Sequence, residues 1–126
     1  HYSVAPIRDL ALDARGAVWV AMERATALQR IDLRTQVRTT PTDSRSPLHE
    51  PMQLTRDKHR GLYIVQGDGQ VKYQNASGTV RSVALGKHKV QALALNTEGD
   101  GLYLAIGTDL WRARITEAGT VETPVR

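Results

Sequence analysis

The sequence predicts an all-β protein built from β-propeller blades, as three four-stranded antiparallel units of about 40 residues each. Two observations carry that expectation. The first is an internal repeat. The stretch LALDARGAVWVAM at 10–22 returns as LTRDKHRGLYIVQ at 54–66 and as LALNTEGDGLYLAIG at 93–107. Aligned on their aromatic residue, the copies place Trp19, Tyr63 and Tyr103 at spacings of 44 and 40 residues, a period shared by propeller blades and helical arrays. The second observation is the hydrophobic pattern, which decides between those two. No stretch keeps apolar residues at i, i+3, i+4 and i+7 over about 11 residues without a glycine or a turn cluster intervening. β-Branched and aromatic runs bounded by glycine read instead as short strands.

Each unit follows the same order. A weakly alternating first strand carries Ile7, Leu10 and Leu12, then Met52 and Leu54, then Val90, Leu93 and Leu95. A polar turn follows at 13–16, 57–61 and 96–101, where Asp or Asn can bond its own backbone and glycine can take a positive φ. The second strand is a compact apolar run at 17–21, 62–65 and 102–106, as expected of a buried strand. A third strand at 27–32, 70–74 and 109–114 alternates more cleanly, with one face in and one out. After a second turn, a short outer strand closes each unit at 37–40, 79–85 and 120–125. The expected blades span about 7–40, 51–85 and 90–125, within one propeller segment covering 1–126. Residues 1–6 would serve as the outer strand of a neighbouring blade, or as a clasp onto a partner chain. Trp19, Tyr63 and Tyr103, set in the most apolar strand of each unit, are expected to pack between blades.

Composition limits the function classes. A chain of 126 residues, 40% hydrophobic and 24% charged, has room for one ordinary domain with a real core. Phe and Cys are absent, which excludes disulfides, thiolate metal sites and cysteine nucleophiles. No apolar run approaches the roughly 20 residues needed to cross a bilayer, so no membrane insertion is expected within this segment. The net charge of +4 is uneven: 51–89 carries seven Lys/Arg against two Asp/Glu, while 90–126 carries three against five. The basic residues are scattered at strand ends and turns, without aromatic platforms between them, so nucleic acid is not the expected partner. The chain begins at His1 without an initiator Met and is expected to be a segment of a longer protein.

The run Asp13-Ala14-Arg15-Gly16-Ala17-Val18-Trp19-Val20-Ala21, followed by Leu28, Arg30 and Asp32, resembles the two-component-regulator propeller repeat. The second unit replaces the Trp with Tyr63 and departs from the usual loop at Gly67-Asp68-Gly69-Gln70. The third keeps Gly107-Thr108-Asp109-Leu110-Trp111-Arg112, close to the glycine and Leu-aromatic-Arg ending of that repeat. The resemblance covers nearly the whole chain. It implies the extracytoplasmic sensor portion of a bacterial signalling protein, periplasmic or otherwise outside the cytoplasm, that binds a ligand without catalysis. A protein-binding or assembly module is the second reading, and a lactonase-like propeller enzyme the third.

Closed propellers have at least four blades. Three leave two raw sheet faces, so the remaining blades of a longer ring, or a second copy of the chain, are expected to cover them. In a propeller, ligands usually meet the loops between second and third strands and those between successive blades. Here these loops nominate Arg24, Arg45, His49, Asp68, Lys87, His88, Lys89 and Asp109 for a small-molecule or protein ligand of unknown identity. Trp111, next to Leu110, is nominated for partner contact. No catalytic residue, metal site or cofactor is expected. The four histidines lie far apart in sequence, and neither Ser44 nor Ser46 sits in a Gly-x-Ser-x-Gly elbow. Asp68-Gly69, Asp100-Gly101 and Asn75-Ala76-Ser77 read as turns.

Overall fold

The computed structural model describes residues 6–13, 15–40 and 47–126, all in strands and turns. Three antiparallel meanders follow one another along the chain. The first sheet has strand order β1 (Ile7–Leu12), β2 (Ala17–Met22), β3 (Gln29–Asp32) and β4 (Arg38–Thr39). The second comprises β5 (Pro51–Arg56), β6 (Leu62–Gln66), β7 (Val71–Gln74) and β8 (Val80–Ser82). The third holds β9 (Val90–Leu95), β10 (Gly101–Ile106) and β11 (Asp109–Arg114). Its expected outer strand at 120–125 is reduced to two isolated bridges, Ile115 with Val121 and Arg112 with Val125. Glu117-Ala118-Gly119 forms a turn, and Thr123-Pro124 then breaks the run; proline has no N–H to give a ladder. The proposed outer strand at 1–6 lies, but for Pro6, outside the described residues.

Side-chain alternation explains how these sheets stack. In β6 every residue is buried, because the strand feeds two cores. Leu62 and Ile64 point into the first, with Ala21, Leu28, Leu48 and Leu54, while Trp19 packs against it half-buried. Tyr63 and Val65 point into the second, with Val71, Tyr73, Val83, Leu85, Val90, Leu93, Leu102, Leu104 and Ala113. A middle sheet clothed on both faces by its neighbours is the radial stacking of propeller blades. The chain is an arc of β-propeller.

Polar side chains tie the innermost strands together. Leu54 N donates to Asp9 Oδ2 at 2.7 Å across the first joint. At the second joint Gln53 does the same with both ends of its amide, accepting from Leu93 N at 2.9 Å and donating to Leu93 O at 3.2 Å. Asp9 and Gln53 occupy matching places, each just after a register shift in the first strand of its sheet. Each satisfies backbone groups that β-pairing leaves over at the joint.

The outer sheets have raw faces. Tyr103 is 42% exposed and Leu110 65% exposed on the far side of the third sheet. Leu10 and Leu12 are exposed on the first. Tyr103 therefore departs from the expected packing between blades, for a plain reason: among the described residues no sheet lies beyond its face. Tyr63, by contrast, is buried between the second and third sheets, as expected.

The turns use the expected chemistry. Asp13 Oδ1 accepts from Arg15 N, Asp32 Oδ1 from Arg34 N and Thr35 N, and Asn75 Oδ1 from Ser77 N and Thr79 N. Asp57 does more. It caps its turn by accepting from His59 N and Gly61 N, and its other oxygen accepts from the Tyr73 hydroxyl at 2.7 Å. The Tyr73 ring lies 4.9 Å from that of Tyr63, under the Arg81 guanidinium at 4.8 Å.

Burial, with the Asp57 hydrogen bond and charge, pushes the Tyr73 phenol well above its usual range. Burial and Asp57 move Tyr63 the same way. A phenol raised by folding contributes stability that is full below its unfolded value of about 10 and is lost as pH rises through the folded value. Stability should therefore fall above about pH 10, and Tyr73→Phe should flatten the fall. Urea midpoints between about pH 8 and 11 measure it; an equally steep fall in the variant would remove Tyr73 from the cause.

Candidate functional site

All the strand-connecting loops nominated above lie at one end of the arc: those after β2, β4, β6, β8 and β10. There the structure gathers the nominated residues into two neighbouring groups. Arg45 lies outside the described residues.

The first group is Arg24, His49 and Asp68, which line one shallow depression of about 440 Å³ together with Thr26, Leu48 and Glu50. Arg24 sits in the turn after β2 at φ 62° and is exposed, its Nε 3.9 Å from Glu23 Oε1. Glu23 also meets Arg8 at 3.4 Å. Leu48, buried in the first core, supplies the floor, and its N–H donates to Thr26 O at 2.8 Å.

Two of the lining residues, His49 and Asp68, are joined from behind by Gln66, to which no sequence signal points. Its side chain is 2% exposed at the end of β6. Its Oε1 accepts from His49 N at 3.0 Å, and its Nε2 donates to Asp68 Oδ1 at 3.1 Å. One buried amide thus couples the inter-sheet loop to the β6–β7 turn. Asp68 Oδ1 also accepts from Gln70 N, and Gly67 N donates to Glu50 O at 2.9 Å. The Asp68 carboxylate and the His49 backbone are consequently held in place, and both side chains stay open to solvent. The Arg24 guanidinium, the His49 ring and the Glu50 and Asp68 carboxylates stand around the depression. Such a rim can hydrogen-bond a polar ligand.

The second group surrounds Trp111. The His88 ring stacks on the indole at 4.4 Å, and the Arg126 guanidinium lies 5.1 Å from its centroid. Arg126 also reaches Asp109 at 3.8 Å. Trp111 is half-buried and packs toward the second core, not outward beside Leu110. Register accounts for this: Trp111 pairs with inward Leu104, whereas Leu110 pairs with Ala105 on the outer face. The outward aromatic of this sheet is Tyr103. Lys87 and Lys89 are exposed on the same loop as His88. Lys89 lies against Gly69, where an added Cβ would stand 2.9 Å from Lys89 Cα. Among the described residues no three His, Asp or Glu side chains stand close enough to hold a metal.

This arrangement, blades stacked in an arc with their loops gathered at one end, defines a β-propeller segment. Solved structures with the same fold agree. The chain is similar to the extracellular domain assigned to a one-component system of Bacteroides thetaiotaomicron (TM-score 0.71, 18% identity over 93% of this chain and 16% of that one). It is similar also to virginiamycin B lyase of Staphylococcus aureus (0.69, 15%, over 94% and 40%). A third is an auxiliary nutrient binding protein of Bacteroides ovatus (0.72, 10%, over 98% and 32%). The chain thus spans well under half the length of each. No protein-family model matches the chain, and no curated protein matches it in sequence.

Proposed function

We propose that this chain is a ligand-binding arc of a sensor-type β-propeller that works outside the cytoplasm, without catalysis. The observation that carries the reading is the depression at the loop end, where buried Gln66 fixes the His49 loop and the Asp68 turn against each other. A binding site needs its polar groups held before the ligand arrives, and this one is held by backbone and a buried amide. Likeness to extracellular sensor domains and nutrient-binding proteins supports the same reading. The raw faces bearing Tyr103 and Leu110, and Leu10 and Leu12, are covered in the parent protein by further blades. The chain's short share of each neighbour supports that assignment.

The test is a thermal-shift screen of the chain against soluble sugars, amino acids, short peptides and divalent metals. A ligand held at 100 times its Kd adds about 2.7 kcal/mol to stability, an easily read shift. Asp68→Asn, which removes a charged acceptor, should weaken the hit about tenfold or more. Stabilisation by divalent metals alone would favour an enzyme, and no stabilisation at all would favour a protein-binding module.

A further inference from the structure

At the opposite end of the arc, the cleft between the first and second sheets opens into a cavity of about 310 Å³. Four arginines line it, Arg15, Arg30, Arg56 and Arg60, with one carboxylate, Asp13, and the Trp19 side chain. We propose that this cavity is a second binding site, for a small phosphorylated molecule whose phosphate meets the arginines and whose body lies against Trp19.

The charge is unbalanced and positioned. Asp13 is committed to Arg30, with Oδ2 at 3.0 Å from Nε, which leaves the two terminal nitrogens of that guanidinium outside the pair. Burial raises the Asp13 carboxyl, but the Arg15 N–H and the Arg30 side chain outweigh it and hold the group below its usual value. It is therefore ionised at neutral pH and neutralises one arginine of the four. Arg56 is anchored through Nη1 to Leu12 O at 3.1 Å. Among the described residues no carboxylate pairs with Arg15, Arg56 or Arg60. Two or three guanidinium groups around one small cavity suit a dianionic tetrahedral oxyanion, which guanidinium forks bind in bidentate fashion.

A second observation stands apart from charge. Arg60 holds a left-handed backbone, φ 65°, in the turn between β5 and β6. In the matching turn between β1 and β2, that place belongs to Gly16 at φ 80°. A side-chain-bearing residue in that region costs free energy that glycine does not. The fold carries this penalty, as it does at Arg24, Gln36 and Glu50 elsewhere, at a turn position whose side chain lines the cavity. Trp19 then has a role besides packing, since its exposed part supplies an apolar wall beside the cations.

The test is isothermal titration of the 126-residue chain with pyrophosphate, glucose 6-phosphate and glucose at moderate salt. Both phosphates should bind and glucose should not. Arg60→Gly relieves the backbone penalty, so the variant should be at least as stable, yet bind phosphates about tenfold more weakly. Arg15→Gln should weaken binding similarly. Arg34→Gln removes a cation from a turn at the same end that does not line the cavity, and should leave binding unchanged. No binding of either phosphate, or equal weakening by Arg34→Gln, would overturn the proposal. The site lies at the other end of the arc from Asp68, so Asp68→Asn should not affect it, and either site can fail without the other.

Discussion

Replacing Gly69 with alanine is expected to cost about 2–4 kcal/mol of stability, while replacing Gly107 with alanine costs only about 1 kcal/mol. Both glycines sit at positive φ, 85° and 62°, in turns at the same end of the arc. An alanine at either position meets the same intrinsic penalty. They differ in surroundings. Around Gly107 an added Cβ meets nothing within 4 Å. At Gly69 it would lie 2.7 Å from Lys89 Cβ and 2.9 Å from Lys89 Cα, and the backbone cannot step aside as a side-chain tip can. That close approach lets Val90 N reach Gly69 O at 2.8 Å, the bond that seats β9 beside the β6–β7 turn. Urea unfolding of the two variants isolates the difference. Equal losses would mean that the approach of Lys89 is not a real constraint. Ligand binding should fall with Gly69→Ala as well, because Asp68 lies on the displaced turn.

The same pair of residues shows what the sequence reveals and what it withholds. A Gly-Asp-Gly between two apolar runs announces a turn, and alternation with β-branched and aromatic residues announces the strands around it. Most such local signals appear in the structure, the outer strand expected at 120–125 excepted, and they include the apolar run of β6, which is buried on both faces because it feeds two cores. Failures come where the outcome depends on packing between sheets. Trp111 and Leu110 are adjacent large apolar residues, and only register decides which one turns inward. Asp9, Gln53 and Gln66 look like ordinary polar residues along or at the end of a strand. Their partners are far away in sequence, so no spacing rule points to them. The four arginines of the cavity come from β3, β5 and the β1–β2 and β5–β6 turns, and only the stacking of the first two sheets brings them together. The nominated loop residues that the structure describes share one end because a propeller directs alternate connections there, whatever their sequence. Arg24, His49 and Asp68 meet on that account.

Stacked sheets that touch only their neighbours make stability local, and this bears on how a ligand at one end can be felt. Ile64→Ala and Leu104→Ala should each cost about 3–5 kcal/mol, since both side chains are fully buried and neither cavity can collapse onto a flexible neighbour. The two should release different parts of the arc. Ile64 holds the joint between the first and second sheets, whose core also includes small Ala21 and only a half-buried Trp19. β1 has little else to hold it: Ile7, Leu10 and Leu12 are each more than half exposed, and its polar ties to the second sheet are the Asp9 and Arg56 hydrogen bonds. Leu104 instead belongs to the larger core, which includes two tyrosines and reaches Trp111. Native-state hydrogen exchange should therefore show Ile64→Ala stripping protection from β1 to β3 while β9 to β11 stay protected, and Leu104→Ala doing the reverse. Uniform loss in both variants would mean that the arc opens as one unit. If protection is instead lost joint by joint, the depression at Leu48 and His49 and the arginine cavity share the weaker joint. A ligand at either would then stabilise the same opening, and binding at one end would favour binding at the other.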